Sequence, residues 1–273
     1  IEISDGGNLG LAEGKTLELG GIYRFTIDVS GGTMAAVLTV EHDGNQPLPA
    51  ADLQINGTKM AQLDADNYQL DLDLTQGQTL TFGGADMFTP AWINPDFFEA
   101  VSAASAKVIP VSGKYRISAN LATKVIDALV LNADGSGLAT LSDDGHGAVY
   151  FIGYGIGSPA AADEPGWTTE KGVCVPEAAP GIYKMTAQAG KEGSTVLGQR
   201  FRVSGWDGKF FGARGWADLG ALTSTSGTEA LLDVSKGNIN MAADVTLEEG
   251  ADYELTLDCT GGKNAPVLTF VKK

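Results

Sequence analysis

The feature that most constrains this chain is an internal repeat at a single offset of 230 residues. Gly7, Asn8, Ala12, Thr16, Leu17, Glu18, Gly20, Tyr23, Thr26, Asp28, Gly31, Gly32, Ala35, Val37, Leu38 and Thr39 recur, in the same order, as Gly237, Asn238, Ala242, Thr246, Leu247, Glu248, Gly250, Tyr253, Thr256, Asp258, Gly261, Gly262, Ala265, Val267, Leu268 and Thr269. No gap interrupts the 34 positions from 7 to 40. Composition bias does not place a Tyr, an Asp and a Gly pair in one ungapped register, so residues 1–44 and 234–273 are expected to be the same structural piece. A weaker third copy lies between them: Gly113, Tyr115, Ile117 and Ala119 followed by Val130 and Leu131, with Lys124 to Leu129 in place of the Gly pair.

Within each copy the apolar residues alternate. Tyr23, Phe25, Ile27 and Val29 face one way, as do Tyr253, Leu255, Leu257 and Cys259, and the runs are bounded by Gly, Asp and Asn. Period-2 alternation over such a length is the pattern of a half-buried strand. The 37 glycines and 10 prolines are spread along the chain, as short strands joined by tight turns require. Tyr68, Leu70, Leu72 and Leu74 alternate in the same way, as do Tyr183, Met185 and Ala187, and Leu80, Phe82 and Gly84 then match Phe201, Val203 and Gly205 at an offset of 121. The expected fold class is all-β, with tandem immunoglobulin-like β-sandwich modules, since single apolar faces must be buried against a second sheet. Three pieces follow: residues 1–44 as the last strands of a partial module, a middle module at 45–146, and a C-terminal module at 147–273. One short helix is expected between Phe97 and Ala106.

Composition then removes whole classes of function. A formal charge of −16 repels phosphate backbones, so no nucleic acid partner is expected. No membrane-spanning segment is expected either, because no run approaches ~18 consecutive apolar residues. Cys174, Cys259, His42 and His146 lack the short spacings of a zinc site, and no metal or other cofactor is called for. Two cysteines leave a disulfide open, with a small buried thiol as the alternative for Cys259.

Catalysis draws no support from the pattern. Asp71 and Asp73 stand at i and i+2 on one solvent face of a strand, rather than facing each other across a cleft as a glycosidase pair must. Asp64, Asp66 and Asn67 begin like a calcium loop, but Gln69 and Thr75 occupy the positions that need Gly and Glu. Both histidines fall in expected linkers.

The most informative window runs from Arg200 to Trp216. It places Arg200, Arg202, Lys209 and Arg214 among Phe201, Trp206, Phe210, Phe211 and Trp216, a local basic and aromatic concentration in an acidic chain. An exposed indole offers a flat apolar platform to the C–H face of a sugar ring, while cationic donors bond its oxygens. For each aromatic taken singly, core packing competes with this reading. Trp167, in the loop Asp163-Glu164-Pro165-Gly166-Trp167, is either a second binding residue or a plug at one end of a sandwich.

In order and spacing these residues resemble the SusE/SusF-type surface glycan-binding lipoproteins of Bacteroidetes starch-utilisation-like systems. Val149 to Gly153 looks like the opening strand of that family, Gly166-Trp167 like its Gly-Trp loop, and Phe201 to Val203 with Trp206 like its central strand and aromatic turn. Gly237 to Ile239 with Gly250, Tyr253 and Asp258 looks like its closing strands. The likeness covers most of 147–273 and the tail at 1–44, and only loosely 45–145. It implies a non-catalytic protein at the outer membrane, held by a lipid anchor that this chain does not contain. The implied partners are a neutral polysaccharide or oligosaccharide, an outer-membrane transporter and other glycan-binding surface proteins. It implies glycan-binding roles for Trp167, Trp206, Lys209, Arg214 and Trp216. The middle module lacks the Gly-Trp loop, has only Phe88 and Trp92 as comparable aromatics, and is expected to be a spacer. The rival class is a structural or adhesin-like protein-interaction sandwich.

Overall fold

A computed structural model describes residues 2–3, 9–10, 17, 21–31, 36–45, 52–84, 89–224 and 231–273. Strand dominates throughout, and the only helical pieces among these residues are 3₁₀ turns at Ala161–Asp163 and Thr169–Lys171. No helix is long and apolar enough to cross a membrane.

The repeat is a β-hairpin used three times. Tyr23 faces His42, Phe25 faces Val40 and Ile27 faces Leu38 in the first copy. At the constant offset, Tyr253 faces Lys272, Leu255 faces Phe270 and Leu257 faces Leu268. The middle copy keeps the Tyr at the same place in its strand, with Tyr115 opposite Val130 and Ile117 opposite Ala128, and closes through a tighter turn with Lys124 at a positive φ of 55°. Identical alternation thus gives identical register, because a slip of one residue would turn every apolar side chain to the wrong face.

What the three hairpins pack against differs. In the middle module, Gly113–Asn120 lies beside Asn67–Leu74 within a five-stranded sheet. A second five-stranded sheet, built from Gln54–Ile55, Thr58–Lys59, Thr79–Gly83, Phe98–Ser102 and Ser105–Val108, closes the sandwich. Leu74, Leu80, Phe97, Tyr115 and Ile117 fill the space between. In the C-terminal module, Asp252–Asp258 lies beside Ile182–Gly190, the strand that the alternation at Tyr183 to Ala187 marked. Val173–Ala179 turns the corner between two sheets there. Its first half, Val173 to Pro176, pairs with Ala148–Tyr154, and its second, from Glu177 on, pairs with Ile182–Gly190 through a register break between Glu177 and Ala179. Such strand-switching at a bulge is how sandwiches build corners. Among the described residues, the first hairpin, Gly21–Asp28 with Val37–Asn45, forms a two-stranded sheet of its own.

Two expectations are corrected. Residues 97–106 are not helical; they form an antiparallel edge hairpin with a register break between Ala100 and Ser102. Ala106 and Val108 alternate inward while Glu99 and Lys107 stay exposed, so the segment follows the period of a strand. The match of Leu80–Gly84 to Phe201–Gly205 also fails. Thr79–Gly83 runs antiparallel to two neighbours, whereas Phe201–Arg202 pairs in parallel with Ala189 and Gly190.

The middle and C-terminal modules share an apolar junction. Along Val149–Ile152, Val149 and Phe151 enter the C-terminal core, while Ala148, Tyr150 and Cys174 join the middle module's cluster. A strand buried on both faces reads as a continuous apolar run, which explains why alternation is missing there. Polar links lock the junction: the Val111 N–H donates to the Glu177 carbonyl at 2.9 Å, and the Thr186 N–H to Asp96 Oδ1 at 2.9 Å. Arg200 Nη1 lies 2.7 Å from Asp96 Oδ2, both side chains fully enclosed, and its guanidinium sits over the Trp92 ring. Cys174 and Cys259 are free and buried in different clusters, and burial pushes both thiols up to about 12.

Candidate functional site

The window that concentrated basic and aromatic residues divides in two when folded. Its first half turns inward. Trp206 is only 3% exposed, packs against Phe201 and Phe270, and its indole Nε1–H donates to the Arg202 carbonyl at 2.6 Å. Gly155 makes room for it: the backbone there has φ of +97°, and a Cβ would lie 2.6 Å from the indole ring. Trp206 is therefore a core residue, and its expected role as a glycan platform is corrected, because no face of the ring reaches solvent.

The arginines at the start of the window are likewise committed. Arg200 belongs to the module junction. Arg202 lies 2.9 Å from Glu164 and 3.3 Å from Glu192 and is nearly enclosed. Glu164 in turn accepts the Gly155 N–H at 3.1 Å, so this ion pair ties the 163–167 loop to the sheet.

The second half turns outward. Strand Asp207–Phe211 pairs with Ala148–Tyr154 so that Lys209 stands opposite Ile152 and Phe211 opposite Tyr150, which places all four on one face of that sheet, the face that Tyr150 buries against the middle module. Lys209 Nζ is 3.0 Å from Asp218 Oδ1 and 5.3 Å from the centre of the Phe211 ring. Trp216 meets the same Phe211 ring with centroids 5.4 Å apart and planes at 88°, leaving the indole propped on a buried neighbour and 70% exposed. The turn that carries it is closed by the Gly212 N–H to Ala217 carbonyl bond at 3.0 Å.

Arg214, from the same turn, reaches along this face. Its guanidinium lies 5.8 Å from the Tyr150 ring centre, and Nη2 donates to the Gly172 carbonyl at 3.2 Å. Gly172 lies close over the face, since a Cβ there would come 3.2 Å from both Tyr150 and Ile152. The loop ending at Gly172 begins at Gly166, whose carbonyl accepts the Gly153 N–H at 2.7 Å. Trp167, 37% exposed, follows at once. Four of the five expected residues, Trp167, Lys209, Arg214 and Trp216, thus belong to one sheet and the two loops that border it.

Sequence reasoning missed the groove beside them. A cavity of about 680 Å³ is lined by Lys209, Leu219, Leu222, Thr223, Ser224 and Val234. It mixes an ammonium and hydroxyls with apolar side chains. The only signal for it was the hydroxyl-rich stretch that begins at Thr223, too common in loops to stand out.

Other candidates resolve into local structure. Asp64 Oδ1 accepts the N–H groups of Asp66 and Asn67, both at 2.9 Å, and these bonds with the Asn67 amide hold its carboxyl below the usual range. Asp71 forms a two-pronged pair with Arg116 at 2.8 and 2.9 Å, an ordinary cross-strand contact. Trp92 is buried at the module junction, and Phe88 lies outside the described residues.

Two sequence families match this chain. Residues 144–260 match the family described as Domain of unknown function (DUF5121), and residues 26–139 the one described as Domain of unknown function (DUF5125). No curated protein matches.

Proposed function

We propose that this chain is a non-catalytic glycan-binding protein of a bacterial cell surface, which captures neutral polysaccharide or oligosaccharide for an uptake system. The observation that carries the reading is Trp216: a largely exposed indole, braced edge-on by Phe211, beside Lys209 and Arg214 and next to a groove lined with hydroxyls. A rigid aromatic platform flanked by N–H donors suits a pyranose ring, whose C–H face stacks while its oxygens accept hydrogen bonds. Cell-surface placement, the lipid anchor and a transporter partner rest on the resemblance to SusE/SusF-type proteins.

Native gels cast with single neutral polysaccharides test it. Retardation by at least one polymer that disappears in Trp216→Ala is expected; retardation by none of a broad panel overturns the reading. Capture of a protein partner, with no retardation by any glycan, would establish the rival protein-interaction role instead.

A further inference from the structure

A smaller cavity, about 190 Å³, opens where the middle and C-terminal modules meet. Its lining includes Asn94 and Asp127 from one module and Ser158, Asp163, Lys171 and Arg214 from the other. No ion pair among the described residues joins either carboxylate to either cation. Asp127 takes the Asn94 amide at 2.6 Å and the Ala128 N–H at 2.7 Å on Oδ1 alone. Ser158 Oγ is buried without a hydrogen-bond partner. Two acceptor-only groups, two donor-only groups and an unsatisfied hydroxyl thus line one small space, and their charges sum to zero.

We infer that this junction cavity binds a single neutral sugar ring, either a free monosaccharide or the terminal residue of a chain. A ligand hydroxyl donates to a carboxylate while accepting from an ammonium or guanidinium, so a polyhydroxylated ring satisfies both kinds of group at once. A ligand of either net charge would leave two like charges opposed. The volume corresponds to about six waters at roughly 30 Å³ each. That is below the roughly 300 Å³ at which pockets for drug-sized ligands begin, so an oligosaccharide does not fit within it. The choice of sugar rests on the glycan-binding reading; the cavity does not include Trp216, although Arg214 borders both the cavity and the face that carries Trp216.

Titration of the whole chain with glucose, galactose, mannose and xylose, followed by calorimetry and by backbone amide shifts, tests the inference. Glucuronate and glucosamine serve as charged comparisons. Binding of a neutral sugar is expected, with shifts clustered at Asn94, Asp127, Ser158 and Lys171. Asp163→Asn and Lys171→Gln change exposed side chains and should each weaken binding about tenfold, as loss of a hydrogen bond to a charged group does. The shifts at Asn94, Asp127, Ser158 and Lys171 should persist in Trp216→Ala. The inference is overturned if no neutral sugar binds, if only a charged one does, or if Trp216→Ala abolishes binding that Asp163→Asn and Lys171→Gln spare. Retardation of the same protein by polysaccharide reads the aromatic platform independently, so either proposal can fail alone.

Discussion

Single residues in this protein separate by which side of a sheet they leave. Trp206 and Trp216 lie ten positions apart beside similar glycines, yet one is sealed and the other is open. Trp206→Ala should lower unfolding free energy by about 3–5 kcal/mol, the range for removing a buried Trp, whereas Trp216→Ala should leave the denaturation midpoint where it was. Chemical denaturation of both variants distinguishes them. The pair also shows where sequence reading stops. Aromatic, glycine and basic residues in one window identified the correct neighbourhood, but the inward turn of Trp206 depends on Phe270, far along the chain, and on the Arg202 carbonyl. His146 supplies a second residue-scale test. Its Nδ1 lies 2.6 Å from Glu177 Oε1, and that hydrogen bond and charge raise the imidazole above its ordinary value of 6.5. The stability this pair contributes is complete below that value and is lost as pH rises through the higher folded one. NMR titration should place the His146 midpoint above 6.5 and return it towards that value in Glu177→Gln.

Among the elements, hairpins were legible and junctions were not. Three copies of one alternating pattern gave three hairpins, because register within a ribbon is set by residues close in sequence. Residues 97–106 lack such a partner pattern, and only their docking on Thr79–Gly83 makes them an edge hairpin. The buried Asp96–Arg200 pair was equally hidden, since it joins two modules across 104 positions. Burial pushes the Asp96 carboxyl up, while Arg200 and the Thr186 N–H pull it back down. Arg200→Ala should therefore destabilise by about 3–5 kcal/mol, by stranding an enclosed carboxylate. Replacing both partners together, Asp96→Leu with Arg200→Met, should restore most of the loss. Thermal melts of the single and double variants check this, and equal damage in both would show that the charges themselves matter little.

For the whole molecule, the Tyr150 face has an organising consequence. Because Ala148, Tyr150 and Cys174 complete the middle module's cluster, the two modules should unfold together, with one calorimetric transition rather than two. Tyr150→Ala should split or broaden that transition while leaving each sandwich with most of its own core. Among the described residues the first hairpin pairs with no other strand. It shares its register with Asp252–Asp258 and Val267–Lys272, yet Phe25 and Ile27 face solvent where Leu255 and Leu257 are sealed. The chain therefore carries its own internal standard for what a covering layer contributes to a ribbon of fixed sequence pattern. Amide deuterium uptake should be rapid at Phe25 and Ile27, and slow by orders of magnitude at Leu255 and Leu257, where opening requires disrupting the sandwich. The ratio of the two rates, measured in one tube on one polypeptide, would give the free energy of enclosing that ribbon.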